Sequence, residues 1–231
     1  MRVDYKLIYS NRKTIGLTVE RDSQVVVRAP HGISEARVRQ AVEAKKLWLF
    51  EKTNHAQKYP DRLYQKEFVT GETLLYLGRN WRLEVVPDQE GIAFHSKFMI
   101  GPQSQDQAGK LFRAWYVQRA TERLTSRVRH FAKTMGASFN QVQVSDLKYR
   151  WGSCTPSNNL NFNWRIIKAP TYVIDYLIVH ELAHLLEPNH TPRFWNIVAV
   201  QVPRYEQAKD WLREHGNLIE VDFFKSSQID Y

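Results

Sequence analysis

Val3, Tyr5, Leu7 and Tyr9 alternate with polar residues, the period-2 pattern of a half-buried strand. Thr14–Glu20 and Gln24–Arg28 flank Arg21-Asp22-Ser23 and predict a strand and a hairpin. Pro30-His31-Gly32 breaks the β pattern. Ser34 then N-caps a predicted surface helix to about Lys58, with Val38, Ala41, Val42, Trp48 and Leu49 near helical spacing. Thr73–Leu77 and Trp81–Val86 around Gly78-Arg79-Asn80 predict a second hairpin, and Ile92–Ile100 one further strand, all expected to belong with the first hairpin.

Gly101-Pro102-Gln103-Ser104-Gln105-Asp106-Gln107 is polar and opens with both helix breakers, so it predicts a domain boundary near residue 105. Residues 1–105 then form an N-terminal β-rich region with one helix, and residues 106–231 a second domain. Within the latter, Leu111, Trp115, Leu124, Val128, Phe131 and Met135 mark one side of a long helix ending at Gly136. Gln141–Trp151 and Leu160–Ile167 read as strands around a Pro156-Ser157-Asn158-Asn159 turn. Helices follow from Pro170-Thr171 to about Leu186, from Thr191-Pro192 to about Val202, and from Pro203 to His215-Gly216. The fold class expected is α+β.

His180-Glu181-Leu182-Ala183-His184 falls inside the helix expected from Pro170-Thr171, where positions i and i+4 share a face and both imidazoles can reach one ion. Glu181 is placed to take a proton from water activated there, the arrangement of a zinc hydrolase. Val173, Ile174, Leu177, Ile178, Leu182 and Leu185 make the helix apolar round much of its circumference, so its histidines are buried and need partners. A catalytic zinc site has three protein ligands and one open position. His190 is the leading third donor, because Glu187-Pro188-Asn189 ends the helix and lets the chain turn back; Glu187 is the competing donor.

Composition narrows the setting. The 231 residues are 43% hydrophobic and 13% aromatic, enough for a sizeable core. The single cysteine, Cys154, excludes an internal disulfide and a four-cysteine zinc ribbon, which leaves histidines or carboxylates to hold a metal. No apolar run resembles a signal peptide or approaches the roughly 18 residues of a membrane span, so a soluble, cytoplasmic protein with no membrane partner is expected. The net charge of +9 is spread evenly over the two halves. Arg119, Arg123 and Arg127 nevertheless recur at i, i+4, i+8 on one helix face. That stripe can meet nucleic-acid phosphates or, as a solvated face, pair with carboxylates of the N-terminal part.

Arg150-Trp151-Gly152-Ser153-Cys154, Leu160-Asn161-Phe162-Asn163-Trp164-Arg165, Ala169-Pro170, Val173-Ile174-Asp175-Tyr176, the His-Glu-Leu-Ala-His helix, Asn189-His190 and Phe194-Trp195 together resemble the YgjP-like metallopeptidase family, relatives of the SprT and WLM zinc proteases. Val25-Val26-Val27-Arg28-Ala29-Pro30, Gly71-Glu72 and Tyr76-Leu77-Gly78-Arg79 extend the resemblance over nearly the whole chain. It implies a zincin-like C-terminal domain with a small sheet beside the metal helix. It further implies one Zn²⁺ per chain held by His180, His184 and His190, with Glu181 as general base. The zinc-ribbon appendage of the SprT relatives cannot exist in a chain with one cysteine.

The function expected is therefore that of a zinc metallopeptidase acting on a peptide or protein substrate. The oxyanion of the attack needs a donor, for which Tyr176, Tyr205, Asn161, Asn163 and Arg165 are candidates. Strand Leu160–Ile167 is expected to align an extended peptide by strand addition. Cys154, Trp151 and Trp164 read as packing residues. Two alternatives stand beside this reading. One is a metal-dependent nucleoside triphosphate phosphohydrolase; the other is a non-catalytic nucleic-acid or partner-binding module with structural zinc, closed by Glu187 or Cys154.

Overall fold

The computed structural model describes residues 3–19, 24–53, 66–147 and 150–220. The chain divides into two compact units, Met1–Arg62 and Leu63–Tyr231. In the first, strands β1 (Tyr5–Ser10), β2 (Gly16–Val19) and β3 (Val25–Pro30) form a sheet with β3 in the centre, parallel to β1 and antiparallel to β2. The expected hairpin is thus β2–β3; its turn at Arg21-Asp22-Ser23 lies outside the described residues. Val25, Val27 and Ala29 alternate onto the face that meets Val38, Val42 and Leu49. These three come from helices α1 (Glu35–Ala44) and α2 (Lys46–Thr53). The single helix expected is broken at Lys45, whose amide bonds back to Val42 three residues earlier. The break keeps Leu49 in the core and leaves Leu47 and Phe50 exposed. Residues 54–58 of that expected helix lie outside the described residues.

In the second unit β4 (Thr73–Tyr76), β5 (Arg79–Val85), β6 (Ile92–Phe94) and β7 (Phe98–Ile100) form a sheet in the order β4-β5-β7-β6. The single strand expected over Ile92–Ile100 is a hairpin, folded at His95-Ser96-Lys97, with Ser96 in the left-handed region. Helix α3 (Ala108–Met135) lies against this sheet. Tyr76, Phe94 and Phe98 meet Trp115 at 5.0–5.8 Å between ring centroids. That aromatic seam corrects the expected boundary near residue 105. Residues 102–107 form a 3₁₀ turn leading into α3, polar because it faces solvent, while Ile100 and Ala108 on either side are fully buried in one core. The β4–β7 sheet therefore belongs with the C-terminal elements and not with the first hairpin.

The third sheet has the order β8-β10-β9, from β8 (Val142–Ser145), β9 (Gly152–Cys154) and β10 (Leu160–Asn163). The long strands expected are shorter: Lys148 and Tyr149 lie outside the described residues, and β10 passes at Asn163 into a buried 3₁₀ helix, Trp164–Lys168. Asn163 drives that change, since its side chain accepts from the Arg165 amide and donates to the Leu147 carbonyl. Helices α4 (Thr171–Ala183), α5 (Pro192–Gln201) and α6 (Tyr205–Glu220) complete the unit. Of these, α4 is the central one: nine of its thirteen residues are buried.

The β4–β5 turn fixes the start of α4. The amides of Leu77 and Gly78 donate to the carbonyls of Ile167 and Lys168 at 3.0 and 2.8 Å. Gly78 has φ +77°, and a Cβ there would lie 2.9 Å from Pro170 Cα. Gly71, at φ +99°, has nothing within 4 Å of its Cβ position. Gly78→Ala is expected to cost about 2–4 kcal/mol of stability and Gly71→Ala about 1 kcal/mol, a contrast that urea unfolding of the two variants checks.

Candidate metal centre

Helix α4 carries His180 in its last turn, and His184 is its C-cap, so the two imidazoles lie one turn apart, edge to face, with ring centroids separated by 5.0 Å. The chain then tightens. Pro188 and Asn189 turn it back, and His190 Nε2 arrives 3.1 Å from His180 Nε2. The next turn is fixed in its own right, because the Thr191 side chain accepts from the Phe194 amide and Pro192 occupies the first turn of α5. Phe194 is fully buried and lies under all three imidazoles, at 5.0, 4.7 and 4.7 Å from His180, His184 and His190.

One nitrogen from each of the three histidines falls within 4.8 Å of the others, and among the described residues this is the one group of three such donors that can hold a metal ion. A tetrahedral ion with nitrogens at about 2.0–2.1 Å sets them about 3.3 Å apart, so the cluster needs only a small contraction to fit. Its electronic state fits as well. Burial first, and then the neighbouring imidazoles, push His180 down to about 3 and lower His184 also, leaving neutral rings. His184 Nδ1 donates to the Pro188 carbonyl at 3.1 Å, which directs Nε2 to the cluster. His190, and not Glu187, is the third member.

Glu181 is 5% exposed, and its carboxylate is turned towards β9. Ladder bonds at Trp151–Asn163 and Thr155–Asn159 leave the backbone groups of Gly152 and Cys154 facing away from β10. The Cys154 amide donates to the Glu181 carboxylate. Gly152 is required by contact: a Cβ there would lie 2.6 Å from Glu181 Oε1. Burial raises the Glu181 carboxyl to about 7, against the opposing pull of Arg150 and of that amide. The group sits where it can gain and lose a proton near neutrality.

The other sequence candidates separate. Arg165 is 1% exposed and forms a two-pronged pair with Asp146, at 2.5 and 3.1 Å, with its guanidinium over Trp164. Asn163 caps the 3₁₀ helix, and Asn161 Nδ2 donates to Ser153 Oγ at 3.3 Å. These three have structural partners, whereas Tyr176 borders His180 and Tyr205 lies behind it, against Tyr176 and Trp195. Tyr176 is edge-on to His180 at 5.8 Å and stacked with Tyr205 at 6.5 Å. The expected substrate strand needs correction: β10 is flanked by β8 and β9 and has no free edge, and the edge that no strand pairs among the described residues, beside Glu181, belongs to β9. Cys154 lies on that strand, its thiol raised by burial and by Glu181.

The arginine stripe is engaged by the protein itself. Arg119 pairs with Glu122, Arg123 donates to Thr171, and Arg127 grips Asp175 of α4 through two bonds of 2.8 and 2.5 Å. Its partners thus lie in the C-terminal part and not, as expected, in the N-terminal one. Sequence reasoning assigned no role to Gly152, Phe194 or Trp195 beyond packing or motif. A glycine abutting a strand start and an aromatic pair just after the third histidine were the available signals. Among the described residues no helix is long and apolar enough to cross a membrane.

A helix bearing His-Glu-x-x-His, a third histidine beyond a turn, and a buried glutamate held by an adjacent strand together make a cluster that could hold a metal ion. Residues 13–215 match the model of the YgjP-like metallopeptidase domain, and the chain belongs to that family. Among solved structures, the zymogen of the metallopeptidase abylysin from Pyrococcus abyssi is similar at 21% identity, over 41% of this chain and 94% of that one, with a TM-score of 0.37. The jannalysin zymogen from Methanocaldococcus jannaschii is similar at 20% identity, over 41% and 96%, with a TM-score of 0.36. Comparison with curated protein sequences gives no match.

Ionising Glu181 in the folded chain carries a penalty that is absent below about 4.5, grows as pH rises and is complete above about 7. In chelator-treated protein, Glu181→Gln is therefore expected to stabilise more at pH 8 than at pH 5, by about 1–3 kcal/mol. Urea midpoints of both proteins at both pH values check this, and a gain independent of pH would contradict it.

Proposed function

We propose that the protein is a zinc peptidase in which His180, His184 and His190 hold one Zn²⁺ and Glu181 is the general base. The observation that carries the reading is the Glu181 carboxylate, buried one residue from the first metal donor and held on β9 by the Cys154 amide. Three imidazole donors suit zinc better than the oxygen-seeking Mg²⁺ of phosphoanhydride chemistry. Zinc bound there supplies a Lewis acid for the scissile carbonyl and the attacking water.

Glu181 accepts the proton of the attacking water on a carboxylate oxygen and delivers it to the leaving amine nitrogen. Gly152 keeps the carboxylate in place by admitting it to within contact of the strand backbone. Tyr176 and Tyr205 are the hydroxyl donors for the developing oxyanion; burial holds Tyr176 protonated by raising it to about 12. The substrate runs extended along the free edge of β9, where the Gly152 amide and the Gly152 and Cys154 carbonyls are open to strand addition.

Two measurements test this. Elemental mass spectrometry of protein purified without added metal is expected to find about one zinc per chain, lost in His184→Ala and in His190→Ala. Glu181→Gln is expected to keep its zinc while peptide cleavage falls by about 10²–10⁴-fold. Zinc retained without His190, or cleavage unimpaired in Glu181→Gln, would contradict the assignment.

A further inference from the structure

Helix α6 meets Trp195, the indole beside the histidine cluster, with two side chains one turn apart, Tyr205 and Lys209. Tyr205 stacks on Trp195 at 5.3 Å and 19°, and Trp195 stacks on His190 at 5.6 Å and 22°. The Lys209 ammonium lies over the same indole, 4.9 Å from its centroid. The side chain is exposed, and the indole is the partner that fixes it. Its charge is felt at the metal donors, where it disfavours protonation of His180.

A lysine that served only solubility would be free to point into water. This one is laid on an aromatic ring that is itself laid on a metal ligand, which places a positive charge beside the reaction centre at little further entropic cost. Among the described residues no carboxylate, Glu206 one turn back included, lies within ion-pair distance of it, and Asp210 pairs with Arg213 at 2.8 Å. Such a cation, held beside a site that must bind a substrate, selects for negative charge on that substrate.

We infer that Lys209, held by Trp195, is the specificity determinant of this site and binds a carboxylate of the peptide substrate next to the scissile bond. The inference rests on the peptidase reading for its substrate class. The shared chemistry is a carboxylate, from an Asp or Glu side chain or from a free C-terminus. Lys209 is a binding residue here and takes no part in proton transfer.

The test uses full-length, zinc-loaded Glu181→Gln protein, which holds substrate without turning it over, and labelled alanine-based peptides read by fluorescence anisotropy. Each peptide carries a single Asp, Asn or Lys at a scanned position, with its C-terminus free or amidated. The expected result is binding about 5–10-fold tighter for one carboxylate source than for its neutral counterpart. That preference disappears in Lys209→Met, which keeps the stem on the indole, survives in Lys209→Arg, and turns towards the Lys peptide in Lys209→Glu. An Asp-over-Asn preference in amidated peptides assigns the side chain; a free-over-amidated preference assigns the terminus. Equal binding of charged and neutral peptides, a preference that persists in Lys209→Met, or no binding of any peptide overturns the inference. Cleavage by wild-type protein is scored separately: a charge preference without cleavage would defeat the peptidase reading and leave the carboxylate subsite, and cleavage without preference would do the reverse.

Discussion

An ionisable side chain has been placed on the buried side of the most apolar helix among the described residues, and the surrounding architecture is what makes that tolerable. A carboxylate taken out of water without partners is costly enough that it protonates instead. Glu181 is held between those limits. Burial raises it, while the Cys154 amide and the Arg150 charge lower it, and the balance falls near neutrality. The amide is available because, among the described residues, β9 is an edge strand whose outward side meets no further strand. The carboxylate can approach because residue 152 has no side chain. Edge, glycine and helix are thus one device.

The histidines depend on the same helix for two of their positions and on a separate support for the third. Phe194 touches all three rings from below, and its own position is set by the Thr191 cap and Pro192 at the start of α5. His180 and His184 are kept neutral by burial first and then by neighbouring imidazoles, so at these two donors a metal ion meets lone pairs with few protons to displace. Beyond Phe194, the stack of His190, Trp195, Tyr205 and Tyr176 ties α5, α6 and α4 together around the cluster. Arg127 and Asp175 add a two-bond clamp between α3 and α4.

How much of this the sequence disclosed differs by level. The helical spacing of His180 and His184 and the proline turn to His190 are local, and the three rings come together as those features predict. The long helix also ends at Gly136 as expected, because its apolar period and its stop signal lie in the same segment. What failed was non-local. Polar residues 102–107 read as a linker, yet the aromatic residues on either side share one core across them, and no local pattern reports that Trp115 will meet Tyr76 and Phe94. The role given to Leu160–Ile167 failed for a similar reason, since strand order decides which strand keeps a free edge. The arginine stripe shows the same limit: its period is visible, but its Asp175 partner is 48 residues away.

The central claim is that three imidazoles, and no sulfur or fourth protein ligand, hold one zinc ion beside Glu181. Zinc K-edge X-ray absorption on the zinc-loaded protein addresses it directly. The account predicts three imidazole nitrogens at about 2.0–2.1 Å with the remaining position filled by oxygen. A sulfur shell at about 2.3 Å, which would bring in Cys154, or a fit with only two imidazoles would contradict it.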